Sequence, residues 1–467
     1  MEKFLYNYKK SKILFNAVVC YPNSYSIGMS SLAFQDIYHI LQEYPFMHCE
    51  RAFFNGGTRS KNGICAIESG RSISQFDIIF ISISFEPDLL NIIEMIRSSG
   101  IDIDPYKRAL AGGPLIVAGG IAATFLYYYL KDTADITVCA AAEYALPLIV
   151  EELSCYKDRK SFIRGLGNNK GFYYREKNAD GNIPYYECGK KLAHSVILSD
   201  KAEFSGMGLI EISRGCLFMC NFCLVSKVYG SYFPYPESEI IETAEKYTGL
   251  TDRIGLIAAT LTNHPGFRNI IKELNRLQFR LSFSAFRLEG LDDELLELII
   301  NNENRTLTIA PETASLKLKK TINKVISNDM IMEKALKAFA LGIKRLKLYF
   351  LIGLPGETLE DILEIISLVK NLRELSYVHS KKHGYVPEFI ITVNPLVPKP
   401  FTEFQDCPME ELQSIKKKII TLKNGLRGLG RTYVYGESPK SALLQYRLSH
   451  HIVSLEELIS NPSSYNN

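Results

Sequence analysis

Two series of short apolar runs, each run followed by a helical pattern, set the strongest limit on what this chain can fold into. In the first series the runs are ILFNAVVC (13–20), HCERAFF (48–54), FDIIFISIS (76–84), LIVAGG (115–120) and ADITVCAAAE (134–143). Helical patterns such as SSLAFQDIYHILQEY (30–44) and EPDLLNIIEMIRSS (86–99) fall between them. Continuous Ile and Val runs belong to strands buried on both faces, which predicts a parallel sheet in a doubly wound α/β domain. Ligands of such sheets bind at the carboxyl ends of the strands.

The second series starts at Gly208. Its strand candidates are 208–213, 253–259, 280–286, 306–310, 345–353 and 388–394, with helical patterns at 236–249, 266–277, 291–301, 327–341, 358–374 and 408–425. Six βα units are two fewer than a closed eight-fold barrel needs, so a partial (β/α)6 barrel is expected, with its working face in the loops after the strands. Between the two series, YYREKNADGNIPYYE sets Asp180-Gly181 between tyrosine-rich runs, a hairpin signal. The expected organisation is a doubly wound domain over 1–155, a linker with a β-hairpin over 156–204, the partial barrel over 205–430, and a short helical appendage and tail over 431–467.

Composition narrows the class without naming a function. With 467 residues, 46% hydrophobic and 22% charged, the chain has material for two or three cores. A formal net charge of +3 gives no clear nucleic-acid signal. The lysines at 317, 319, 320 and 324 and at 416–418 read as solvated helix faces. The apolar N-terminal stretch is short and holds an Asn, which fits a first strand better than a secretion signal, and Gly119-Gly120 interrupts the most apolar later run. Cys20, Cys49, Cys65, Cys139, Cys155, Cys188 and Cys407 are scattered singly and read as reduced thiols. The expectation is a cytoplasmic protein with no membrane partner.

The remaining cysteines are different. RGCLFMCNFC (214–223) places Cys216, Cys220 and Cys223 in the loop after the first barrel strand. Thiolates that close together ligate one soft metal centre. Structural zinc asks for a fourth ligand; Cys407 is remote, and His264 lies beyond the next strand candidate. A four-iron four-sulfur (4Fe-4S) cluster held by three thiolates leaves one iron open to a non-protein ligand.

The spacing C-x3-C-x2-C, with Arg214-Gly215 before it and Phe222 before the last cysteine, resembles the cluster motif of the radical S-adenosylmethionine (SAM) superfamily. That resemblance implies that the open iron chelates SAM and that reductive cleavage yields a 5′-deoxyadenosyl radical, which abstracts hydrogen from a substrate. It implies a reductant partner such as flavodoxin or ferredoxin, and makes the three cysteines both metal ligands and catalytic residues. Phe222, Thr260, Ser284, Arg287, Glu312, Leu351 and Gly353 match positions that contact SAM in the family. The chain departs from the family at the second strand, where Ala258-Ala259-Thr260 stands in place of Gly-Gly-Glu.

The pairing of a doubly wound domain with such a barrel is similar to the cobalamin-binding class of radical SAM proteins. YPNSYSIGMSSLAFQ, APETASLKLKKTINK and KLYFLIGLPGET resemble a largely uncharacterised subgroup of it. The implied cobalamin contacts are Tyr25, Gly28, Ser82, Ser84, Gly119, Gly120 and Glu143, with Tyr25 where the cobalt-binding histidine of relatives stands. A neutral phenol is a poor ligand beside imidazole. Three enzyme readings follow: cobalamin-dependent methyl transfer, a cobalamin-independent radical oxidoreductase, and a methylthiotransferase with a second cluster on Cys20, Cys49 and Cys65. The non-enzymatic rival is an iron–sulfur redox sensor.

Overall fold

The structure is a computed structural model and describes residues 1–55, 59–60, 63–176, 190–284, 286–301 and 305–460. The chain forms two compact units. One comprises Met1–Leu209, Lys246–Thr251 and the stretch from Arg447; the other comprises Ile210–Glu245 and Asp252–Tyr446.

The first unit is built on strands β1 (Phe15–Ser24), β2 (Met47–Asn55), β3 (Ile78–Ser82), β4 (Leu115–Gly119), β5 (Ile136–Val138) and β6 (Phe172–Tyr173). Their order is β2-β1-β3-β4-β5-β6, parallel except for β6. The order reverses between β1 and β3, where Ala17 lies opposite Ile78, and that reversal is the switch point of a doubly wound sheet. All five residues of β3 are buried, as an unbroken IIFIS requires. The run at 134–143 yields only a three-residue strand, because a helix (Ala142–Ser154) begins inside it.

The stretch expected to be a linker is largely part of this unit. It carries a helix (Arg159–Gly167) capped by Asp158, then β6, then Ile197–Ser199 paired antiparallel with Glu2–Phe4. Phe162, Leu166 and Phe172 anchor it in the same core as Phe34 and Ile149, an attachment hidden by its charged composition. The hairpin expected at Asp180-Gly181, and Cys188, lie outside the described residues.

The second unit carries β7 (Gly208–Glu211), β8 (Arg253–Ile257) and β9 (Arg280–Phe283) in one sheet. A second sheet holds β10 (Thr306–Glu312), β11 (Arg345–Ile352), β12 (Glu388–Pro395) and β13 (Thr432–Tyr435), all parallel. A parallel bridge between Phe286 and Ile309 joins the two. Burial alternates along β11: Leu346, Leu348, Phe350 and Ile352 are buried, while Lys347, Tyr349 and Leu351 on the opposite side are partly open. The strand β13 falls in the region expected to be a helical appendage. Its TYVY sequence makes a half-exposed strand on β12, with no buried run to announce it.

Among the described residues no helix is long and apolar enough to cross a membrane. The lysine clusters are not uniformly solvated: Lys319, Lys324 and Lys418 are buried. Their polar partners are Asn328, Glu312 and Glu357 in turn.

Candidate functional site

The cysteine loop leaves β7 through a two-residue antiparallel ladder, Ser213–Arg214 against Phe233–Pro234, which closes its base. Arg214 is fixed to Glu211 at 2.8 Å, and the Tyr235 hydroxyl donates to the same carboxylate. Gly215 turns the chain with φ +73°, and a Cβ there would lie 3.0 Å from the Ser231 carbonyl. Cys223 N–H then donates to the Cys220 carbonyl at 3.0 Å, a tight turn that brings the last two thiols together. Cys220 is buried; Cys216 and Cys223 are partly open.

Two distant segments clamp this loop. Asn221 donates from its backbone to Ile322 (3.0 Å) and from its side chain to Thr321 (2.8 Å), and its carbonyl accepts from Glu403 N–H. Asn323, at φ +52°, donates to the Met219 carbonyl at 2.7 Å. Phe222 and Leu351 both pack on a cluster formed by Leu318, Ile322, Leu354, Leu396 and Phe404. The aromatic expected next to SAM and the β11 residue expected at adenine therefore share one apolar wall.

The ends of β8 to β11 supply the polar groups. Thr260 is buried, and its hydroxyl, that of Thr262 and the Asn263 side-chain oxygen have no hydrogen-bond partner. Ser284 donates weakly to the Ala258 carbonyl at 3.4 Å. Arg287 reaches Cys220 Sγ at 3.5 Å and Glu289 at 2.7 Å. Glu312 ends β10 at φ +62° and pairs with Lys324 at 2.8 Å. Burial pushes the Glu312 carboxyl up, while Lys324 and Arg287 act against that rise. Gly353 N–H donates to Glu357 at 2.7 Å, and Glu357 and Glu410 share the buried Lys418 ammonium. Burial raises the Glu357 carboxyl, opposed by the Gly353 N–H and Lys418.

Three free thiols on one short loop are a donor set that a 4Fe-4S cluster can take. Among the described residues no three His, Cys, Asp or Glu side chains converge as one metal ion demands. Cys216, Cys220 and Cys223 would hold such a cluster, leaving one iron for a non-protein ligand. His264, the candidate fourth zinc ligand, has Nε2 on the Tyr235 carbonyl and Nδ1 accepting from Gly266 N–H. Burial raises the Cys223 thiol, and its Cys220 and Cys216 neighbours add to the rise, so stable thiolates here call for positive charge. Unpartnered buried polar atoms beside the loop mark where a polar ligand would complete the site.

In the first unit the implied cobalamin contacts are differently placed. The Tyr25 hydroxyl is bound to Glu2 (2.5 Å) and Ser199 (2.8 Å), and Glu2 pairs with the buried Arg51. Burial and the Glu2 bond raise the phenol to about 12, so it is no cobalt ligand as it stands. A Cβ on Gly28 would strike the Phe53 ring at 2.6 Å; Gly120, at φ +121°, lies against the Ile83 carbonyl. Gly119 packs on Val138, and Ser82 is buried at the end of β3. Ser84 meets the Tyr21 hydroxyl, and Glu143 sits in the first turn of the helix after β5. These residues do not show a fit to cobalamin. Cys20, Cys49 and Cys65 are buried thiols, and burial raises the first two.

A family model described as the Radical SAM superfamily matches residues 210–369, and one described as Radical SAM proteins, N-terminal, matches residues 33–174. The chain belongs to the radical SAM superfamily, and that family implies a 4Fe-4S cluster and SAM. An uncharacterized protein of Methanocaldococcus jannaschii is 26% identical over 97% of this chain and 93% of its own length. The tRNA-2-methylthio-N(6)-dimethylallyladenosine synthase of Carboxydothermus hydrogenoformans is 23% identical over 46% of this chain and 50% of its own length. The fold also matches that of the cobalamin-dependent SAM radical enzyme OxsB, solved with aqua-cobalamin and SAM. The TM-score is 0.60 at 14% identity, covering 96% of this chain and 67% of that one.

Sequence reasoning missed Asn221, Asn323, Lys324, Phe218, Glu289 and the Glu357–Lys418–Glu410 group. Asn323 and Lys324 lie in a stretch read as solvated lysines; only their contacts with the loop and with Glu312 distinguish them.

Proposed function

We propose that this chain cleaves SAM reductively at a 4Fe-4S cluster on Cys216, Cys220 and Cys223 and removes a hydrogen atom from an organic substrate. The observation that carries this reading is the convergence on one loop of Arg287 from the end of β9 and of Asn323, one residue before the lysine that pairs with Glu312. Cluster and SAM together supply, when bound, the 5′-deoxyadenosyl radical. The protein's part is to hold and to shield. The three cysteines bind the cluster; Thr260, Ser284, Arg287 and Glu312 are the polar SAM contacts. Phe222, Leu351 and Gly353 border the adenosine, and the apolar wall behind Phe222 and Leu351 keeps water out. An external reductant such as flavodoxin or ferredoxin supplies the electron, and the protein works in the cytoplasm.

Anaerobically reconstituted, reduced protein incubated with SAM should release 5′-deoxyadenosine; inertness with an intact cluster would leave the redox sensor standing. A second reading, cobalamin-dependent methyl transfer, is favoured by the likeness to OxsB across both units. It predicts that the purified chain takes up cobalamin and shows a bound corrin spectrum without a tyrosinate ligand. Failure of uptake under saturating cobalamin removes it and leaves hydrogen abstraction alone.

A further inference from the structure

Arg287 uses each part of its guanidinium differently. Nη1 points at Cys220 Sγ (3.5 Å), Nη2 at Glu289 Oε1 (2.7 Å), and the plane stacks 3.5 Å from the centre of the Phe218 ring. Phe218 lies between Cys216 and Cys220, so two of these contacts are to the cysteine loop itself. Nε is buried and has no partner. A guanidinium reserved for SAM would have its donors free; here one donor is already aimed at a cluster ligand.

Reducing a 4Fe-4S cluster adds negative charge that spreads onto its cysteine sulfurs. A donor or positive charge beside a sulfur therefore favours the reduced form, and a nearby carboxylate opposes it. Glu289 sits on the far side of the same guanidinium and offsets part of its charge.

We propose that Arg287 is a positioning residue for Cys220 and that the Arg287–Glu289 pair sets the cluster's reduction potential, Arg287 raising it and Glu289 lowering it. The proposal rests on the cluster reading above. The step concerned is addition of one electron from an external low-potential reductant to the oxidised cluster, with no bond made or broken.

The test is a potentiometric titration of the anaerobically reconstituted full chain with dithionite. It is followed by electron paramagnetic resonance without SAM, with iron and sulfide measured for every variant. At the wild-type midpoint, Arg287→Gln should lower the ratio of reduced to oxidised cluster about tenfold, about 59 mV for a one-electron couple. Glu289→Gln should raise the ratio by about threefold, the opposite sign. Equal ratios in both variants at full iron loading, or shifts in the same direction, overturn the proposal. So does a variant whose ratio is unchanged while only its affinity for SAM falls, since Arg287 would then be a SAM contact alone. If Arg287→Gln does not retain its cluster, the sign of the Glu289→Gln shift decides, because that variant keeps the donor. If the wild-type chain assembles no 4Fe-4S cluster, the cluster reading fails, and this proposal with it.

Discussion

The carboxyl ends of the strands are furnished differently in the two units. In the second, Ser213, Tyr232, Thr260, Thr262, Asn263, Arg287 and Glu357 each keep a buried polar atom without a partner in the loops that follow the strands, and Arg373 keeps one on a helix. In the first, the unpartnered atoms belong to Gln42, Arg108 and Thr137, away from the β1/β3 switch point. There Tyr25, Gly28, Gly119 and Gly120 are all engaged by neighbours within the unit. Unsatisfied buried polar groups are rare because they are costly, so their gathering marks a place prepared for something absent from the polypeptide. At the β1/β3 switch point of the first unit no such atom is found among the described residues.

The contrast is most exposed at the thiols. Cys220→Ala should lower bound iron about tenfold or more and abolish 5′-deoxyadenosine release. Cys20→Ala, at a core thiol whose pKa burial has raised, should leave iron content unchanged. Equal losses, read by iron and sulfide analysis, would erase the distinction between the two sets of cysteines.

Lys418→Met strands two carboxylates under the Gly353 turn, and should destabilise the second unit by about 3–5 kcal/mol in urea unfolding. An unchanged midpoint would mean that Glu357 takes up a proton instead of staying charged.

At the first unit's switch point, burial holds the Asp88 carboxyl at about 6 despite bonds from Asn23 and the backbone. The unfolded chain's Asp titrates near 4, so between those values the native state binds the extra proton and stability falls as pH rises. Asp88→Asn should remove that slope, gaining about 3 kcal/mol at pH 7 and almost nothing near pH 4. Parallel stability–pH curves for variant and wild type would contradict it. The smallest effect is expected of Tyr25→Phe, a loss of about 1 kcal/mol with any corrin uptake unaltered. Abolished uptake would make the phenol a cofactor contact.

What could be read in the sequence follows from how local each signal is. Runs such as FDIIFISIS announce β3 because both faces of a central parallel strand are buried. The cysteine motif is legible because its geometry is written into one decapeptide. The TYVY strand was not, since a half-exposed strand carries no apolar run. Lys319 and Lys418 looked solvated because charge runs usually are. Burial lowers the Lys319 ammonium to about 8, and only the partners Asn328 and Glu357, remote from the two runs or invisible as partners, make these sites habitable. Tyr25 matched a family position in register, yet its hydroxyl is claimed by Glu2 and Ser199 from opposite ends of the first unit's sequence.

The grip on Asn221 bears on the order of events during synthesis. Its partners, Thr321, Ile322 and Glu403, emerge from the ribosome long after Cys223. A nascent chain that has just exposed its three thiols has only the loop's local turns to shape it. Iron and sulfide delivered at that moment would meet a loop without its hydrogen bonds to Thr321, Ile322 and Glu403.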